Sequence, residues 1–124
     1  MRVLVVDDFA TMRKIVKNVL KQINLENATE AENGKQALEL LKKEEIDLII
    51  SDWNMPEMSG IELLRACKAD PKTRHIPFIM VTAEAHKESV LEAIKAGVDN
   101  YISKPFTSDK LQDAIYKAKA KVAK

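Results

Sequence analysis

Residues 48–56 read LIISDWNMP, an apolar run that stops on a carboxylate, Asp52, and is followed by a turn that Pro56 closes. Leu48, Ile49 and Ile50 make too short a run for a helix and too continuous a one for a half-exposed strand, so a short strand covered on both faces is predicted. Asp52 then stands at the mouth of a sheet. Taken alone, an acid in that place is either a helix or turn cap, or a reactive group on a rigid base, and the flanking stretches decide between the two.

On the N-terminal side, Val3 to Val6 is a second β-prone apolar run halted by acids, Asp7 and Asp8, and is predicted to be a second buried strand. Met12, Ile15, Val16, Val19, Leu20 and Ile23 follow at the spacing of one helix face, with Arg13, Lys14, Lys17 and Lys21 on the other. Ala28 to Glu32 alternates weakly and carries Glu30 and Glu32, which suits an exposed edge strand. Asn33 and Gly34 turn the chain into a helix over Lys35 to Glu44, with Ala37, Leu38 and Leu41 inward.

On the C-terminal side of Pro56, Ser59 and Glu62 have the spacing of a capping box and open a helix whose inward residues are Ile61, Leu64 and Cys67. Asp70 and Pro71 end it. His75 to Thr82 supplies a fourth strand, with Pro77 near its start, where a missing ladder donor is tolerated. Lys87 to Ala96 is predicted to be helical with Val90, Leu91 and Ile94 inward, stopped by Gly97. Asn100 to Ser103 is a short fifth strand. Thr107 or Ser108 starts the last helix, with Asp109 in its first turn and Leu111, Ala114, Ile115, Ala118 and Val122 inward.

Five strands alternating with five helices imply right-handed crossovers and a parallel sheet covered on both faces. The apolar first, third and fourth strands belong inside, so the predicted fold is α/β, a flavodoxin-like doubly wound (βα)5 unit with a five-stranded parallel sheet in the order 2-1-3-4-5. Ligands of such sheets sit at the carboxyl ends of the strands.

The 124 residues fit one domain, and a single domain over residues 1–124 with no output domain is expected. With 46% apolar and 31% charged residues and a formal charge of +1, the chain is of the folded soluble kind, with no global pull toward nucleic acid or a membrane. The basic end from Lys117 to Lys124 is read as a solvated helix face. The single cysteine, Cys67, excludes an internal disulfide and a multi-cysteine metal site. No stretch approaches the roughly 20 apolar residues of a membrane span, and a cytoplasmic location is expected.

On the predicted sheet, Asp7 and Asp8 leave the first strand, Asp52 the third, Thr82 the fourth and Lys104 the region of the fifth, all at one edge. Each has an ordinary reading by itself: Asp8 as a helix cap, Thr82 as a loop hydroxyl, Lys104 as a solvated cation. Their convergence favours chemistry. Two carboxylates about 4 Å apart repel by roughly 4 kcal/mol at an effective dielectric near 20, so a positive charge belongs among them. An all-oxygen donor set favours a hard cation, Mg2+ or Mn2+, over zinc. No Gly-rich phosphate loop is present, so a phosphoryl group is not expected to come from a nucleotide bound by this chain. A carboxylate nucleophile beside a metal, a lysine and a hydroxyl points to an aspartyl phosphate.

The segments VVDDFATMR, ISDWNMPEMSG, VTAEA and YISKPF together resemble the receiver domains of bacterial two-component response regulators over the whole chain, in particular the single-domain chemotaxis regulators, through Phe9, Trp53, Asn54, Glu84 and Tyr101. The resemblance implies that Asp52 accepts a phosphoryl group from a histidine kinase. It implies Mg2+ held by Asp7, Asp8, Asp52 and the backbone carbonyl of Asn54, and Lys104 paired with a phosphoryl oxygen ahead of a cis bond to Pro105. It makes Thr82 and Tyr101 the switch residues, and Asn54 and Glu84 the residues that tune hydrolysis. Ser103 departs from the aliphatic residue common before that lysine. Further expectations are a monomer that catalyses its own phosphorylation and dephosphorylation without a separate turnover substrate. Its partners would be the kinase, the flagellar motor switch protein and a phosphatase, with readout on the face of helix 4, strand 5 and helix 5. Moving a two-state equilibrium from about 1:99 to 99:1 takes roughly 5.5 kcal/mol of differential stabilisation. A stand-alone receiver in a non-chemotactic phosphorelay and a Mg2+-dependent aspartyl-phosphate phosphatase remain as alternatives. His75 and His86 are read as surface histidines, Met12, Met80 and Cys67 as packing, Met55 and Met58 as shaping the turn beside Asp52, and Trp53 as a partly exposed reporter.

Overall fold

The computed structural model describes residues 1–83 and 87–122. Its strands are β1 (Val3–Val6), β2 (Ala28–Ala31), β3 (Leu48–Asp52), β4 (Phe78–Thr82) and β5 (Asn100–Ser103). They alternate with α1 (Ala10–Gln22), α2 (Gly34–Lys43), α3 (Gly60–Ala69), α4 (Lys87–Lys95) and α5 (Ser108–Val122). Every strand pairing is parallel, in the predicted order β2-β1-β3-β4-β5.

The unbroken apolar runs of β1, β3 and β4 are explained by two cores, one on each face of the sheet. Val3, Val5, Leu48, Ile50, Ile79 and Val81 pack with α1 and α5. Their alternate neighbours Leu4, Val6, Ile49, Phe78 and Met80 pack with α2, α3 and Ala93 of α4. Side chains of a strand point alternately to its two faces, so a strand with both faces covered has no polar register left to show.

Local chemistry sets the helix starts. Asn33 accepts a hydrogen bond from Gln36 N at 2.8 Å ahead of α2. Ser59 and Glu62 form the expected reciprocal capping box of α3, and Thr107 Oγ1 accepts from Lys110 N at 3.2 Å at the start of α5. Gly97, at φ 96°, ends the α4 region in a left-handed conformation that costs glycine little. The Lys104–Pro105 bond is cis, as expected.

Two helix faces differ from their predictions. On α4, Leu91 and Ile94 are exposed and Val90 is half-buried, whereas Ala93 is completely buried. The small Ala93 is the residue of this short helix that enters the core, and the larger residues stand outward. On α1, Val16, Val19 and Leu20 are buried as expected and Met12 and Ile23 half-buried, but Ile15 is exposed. Leu63 joins Ile61, Leu64 and Cys67 in the core below α3. Cys67 is sealed in, and burial pushes its thiol up to about 11, which keeps it protonated and unreactive near neutral pH. His75 is exposed; His86, Glu84 and the side chain of Val122 lie outside what the structure describes.

Candidate functional site

The carboxyl ends of the parallel strands carry the polar residues to one edge. Asp7 directly follows β1, Asp52 and Thr82 are the last residues of β3 and β4, and Lys104 directly follows β5. Register brings these ends level: Val6 lies opposite Ser51, Asp52 opposite Val81, and Thr82 opposite Ser103. The lysine is held by its own backbone, Lys104 N donating to Thr82 O at 2.8 Å.

Asp7 and Asp52 are almost wholly buried, at 3% and 6% exposure, and Thr82 is fully buried. Asp8 is exposed. One carboxylate oxygen from each of Asp7, Asp8 and Asp52 lies within 4.8 Å of the others. Lys104 Nζ sits 3.3 Å from Asp7 Oδ2 and 3.3 Å from Asp52 Oδ1, bridging two acids with one ammonium. Burial pushes the Asp52 carboxyl above the usual range, and the nearby Asp7 charge adds to the rise, while Lys104 and the Trp53 backbone N–H work against it.

The ordinary reading of Asp8 as a helix cap is excluded by the start of α1. Phe9 holds the N-cap position without a side-chain cap bond, and it is Asp7 Oδ1 that accepts from Phe9 N at 3.0 Å. Ser51, buried in β3, satisfies its hydroxyl by donating to Asp52 O at 2.8 Å. Gly60 N donates to Trp53 O at 2.8 Å, closing the turn that leaves Asp52.

Trp53 is half-buried beside this turn, and its ring meets that of Tyr101 edge to face at 6.5 Å and 71°. Asn54 is exposed on the same turn, and Tyr101 lies half-buried on β5 opposite Met80. Met55 and Met58 pack partly buried against the core under α3. Asp7, Asp8, Asp52 and Lys104 are thus gathered within ion-pair or ligand reach, Thr82 closes the same strand edge, and Tyr101 stands one strand away against Trp53.

The sequence pattern missed Arg13. It sits among the cations of the α1 polar face, yet its side chain is only 12% exposed. Its Nη1 donates to Asp7 O at 2.7 Å and its Nε to Glu30 Oε1 at 2.9 Å. The available signal was the acid on β2: Glu30 looked like an edge charge, and the crossover that brings β2 beside β1 also brings it to α1.

Comparison with known proteins adds to this geometry. Residues 3–116 match the response regulator receiver domain family. The chain belongs to that family. Among its relatives, this receiver domain is 49% identical over 117 residues to the chemotaxis protein CheY-3 of Vibrio cholerae, covering 94% of this chain and 90% of that one. It is 48% identical to the chemotaxis protein CheY of Pseudomonas aeruginosa, covering 94% of each. The solved chemotaxis response regulator CheY4 of Vibrio cholerae superposes with a TM-score of 0.86 at 32% identity, covering 94% of this receiver and 97% of that chain. The receiver domain of a histidine kinase from Syntrophus aciditrophicus superposes with a TM-score of 0.89 at 31% identity, covering 96% and 89%. The CheY-like fold and membership of the response regulator receiver family are therefore established for this chain. No helix among the described residues is long and apolar enough to cross a membrane.

Proposed function

We propose that Asp52 is the phosphoacceptor of a chemotaxis response regulator and that its modification switches binding to the flagellar motor switch protein. The observation that carries the reading is the pair of 3.3 Å contacts that put one ammonium, Lys104, on two buried carboxylates at a parallel sheet's ligand-binding edge. The donor set fits a hard divalent cation: three carboxylates with oxygens within 4.8 Å and no imidazole or thiol among them. Asp7, Asp8, Asp52 and the Asn54 carbonyl would hold Mg2+, or Mn2+ in its place, which when bound neutralises charge on the transferred phosphoryl oxygens.

An Asp52 carboxylate oxygen attacks the phosphorus of a kinase phosphohistidine. The P–N bond breaks, the imidazole leaves as its neutral form on taking up a proton, and an acyl phosphate remains on Asp52. Lys104 exchanges its contact with the Asp52 carboxylate for one with a phosphoryl oxygen. Thr82 offers its hydroxyl to another, and Tyr101, already against Trp53, follows it inward. Water ends the state by attack on phosphorus, restoring the carboxylate and releasing phosphate. By the family resemblance, Asn54 and Glu84 are the residues that would tune this hydrolysis. The same residues make this autocatalysis on one aspartate, without a separate turnover substrate.

The chemotaxis output is supported by relatives near 49% identity that are named chemotaxis proteins. The test is capture of the motor switch protein on immobilised chain with and without Mg2+ and a small phosphodonor. Binding is expected to rise with phosphodonor in the wild type and not in Asp52→Asn. Equal binding in both states would contradict the switch, and no binding to the motor protein would move the output to another phosphorelay.

A further inference from the structure

Arg13 does not behave as an exposed charge of the kind that Lys14 and Lys21 are on the same helix. Its guanidinium joins three elements: the end of β1 through Asp7 O, β2 through Glu30, and α1, from which it projects. Lys17 shares the acid, donating to Glu30 Oε2 at 3.0 Å. The remaining polar atoms of Asp7 are also engaged. Its N–H donates to Ala31 O at 3.1 Å, Oδ1 accepts from Phe9 N at 3.0 Å, and Oδ2 accepts from Lys104 at 3.3 Å. Asp8 is different: it is exposed, and its carboxylate accepts no hydrogen bond among the described residues. What orients it is the backbone before it. The peptide unit is planar, so a carbonyl fixed at Asp7 also fixes the plane that contains the Cα of Asp8.

We infer that Arg13 is a positioning residue for the acid pair: by tying the Asp7 carbonyl to Glu30 on the neighbouring strand, it sets the place from which the Asp7 and Asp8 carboxylates meet a divalent cation. This rests on the reading of the acid cluster as a cation site. Arginine suits the task because its planar fork serves two acceptors at once, whereas a lysine at the same position offers a flexible point charge. Two effects of removing it oppose each other. Loss of a cation near two acids favours binding of a second cation, but Glu30 already offsets much of that charge. Loss of the anchor lets the Asp7–Asp8 peptide rotate, and supporting contacts behind metal ligands are worth about 10–100-fold in affinity. The positioning effect therefore outweighs the charge effect, and the sign of the change separates the two.

The probe is Mn2+ alone, titrated into the full chain and followed by the electron paramagnetic resonance signal of the free ion, with thermal unfolding measured in parallel. Arg13→Lys keeps the charge and loses the fork, and Arg13→Ala loses both. Each is expected to bind Mn2+ about tenfold or more weakly than the wild type at a temperature where both are folded, with Lys recovering part of the Ala loss. Glu30→Gln, which keeps an acceptor for Arg13 Nε, is expected to lose less. Wild-type affinity in Arg13→Lys, or tighter binding in Arg13→Ala, overturns the positioning role even if the melting temperature has fallen. If Arg13→Ala does not fold, the Arg13→Lys and Glu30→Gln titrations decide. Failure of the wild type itself to bind Mn2+ overturns the cation site and the positioning role with it, and is distinct from equal binding by wild type and variants, which overturns only the latter.

Discussion

Gly60→Ala adds one methyl group at the point where α3 begins under the Asp52 turn. A Cβ at Gly60 would lie inside contact distance of the Asp52 carbonyl oxygen, 3.0 Å from the Asp52 carbonyl carbon and 3.0 Å from Met80 Sδ. Carbon atoms pack best at about 3.5–4.0 Å, so relief needs a displacement on the order of 1 Å. Met80 is completely buried in β4 and the Asp52 carbonyl belongs to the central strand β3, so neither yields freely. Overpacking of this kind costs about 1–3 kcal/mol, and alanine's better helix propensity returns at most about 1 kcal/mol. The expected result is a melting temperature lower by several degrees, at roughly 4 °C per kcal/mol for a chain of this size. A misplacement of about 1 Å in a reacting group can cost on the order of a hundredfold in rate, so labelling of Asp52 by a small phosphodonor in Mg2+ should slow by tenfold or more. Gly97→Ala is the control. Its positive φ makes alanine cost about 1–2 kcal/mol, but its nearest neighbour is the Lys68 side chain at 3.5 Å, so labelling should proceed at the wild-type rate. A Gly60→Ala chain that melts and labels like the wild type would refute the claim that this close approach holds Asp52 in place.

Two carboxylates should respond to pH with opposite signs. Asp52 has its pKa raised by burial, so its ionised form costs stability that is regained on acidification. Asp52→Asn should therefore unfold at higher denaturant than the wild type at pH 7, with the gap closing as pH falls through the raised folded-state pKa and gone once pH is below the ordinary carboxyl range. At Asp99, burial would raise the pKa, but hydrogen bonds from Lys121 and Phe78 N and the charge of Lys68 outweigh it and hold the carboxyl low. Its stabilisation is present above the unfolded pKa and is lost as pH falls through the folded one. Asp99→Asn should thus be less stable than the wild type at pH 7, and the gap should also close in acid, from the other side; equal pH profiles for the two variants would contradict the assignment. Lys104→Met leaves Asp7 and Asp52 without their shared cation. Breaking a buried pair costs about 3–5 kcal/mol, so denaturant unfolding without divalent ions should show a loss of that order, and millimolar Mg2+ should stabilise the variant more than the wild type.

The fold was legible because both kinds of pattern were strong. Apolar runs halted by acids marked β1 and β3, and the Ser59–Glu62 box marked α3. Sheet order followed from which strands were apolar throughout, and the strand ends then delivered Asp7, Asp52, Thr82 and Lys104 to one edge. What stayed hidden depends on tertiary contact. The inward face of α4 is not legible because Val90, Leu91 and Ile94 outweigh Ala93 in hydrophobicity, whereas the fold buries the small Ala93 and leaves Leu91 and Ile94 exposed. Arg13 shares its predicted helix face with Lys14, Lys17 and Lys21 because helical spacing says where a side chain starts and not how far a long one folds back. Its partners, Asp7 O and Glu30, are a backbone atom and a residue on another strand, neither of which periodicity can register.

The most direct measurement is intact-mass and peptide analysis of the chain after incubation with Mg2+ and a small phosphodonor. A single phosphoryl group per chain is expected, located on the peptide that contains Asp52, dependent on the divalent ion and absent from Asp52→Asn. Full labelling of Asp52→Asn, or sustained turnover of phosphodonor without labelled chain, would contradict the assignment of Asp52 as the acceptor.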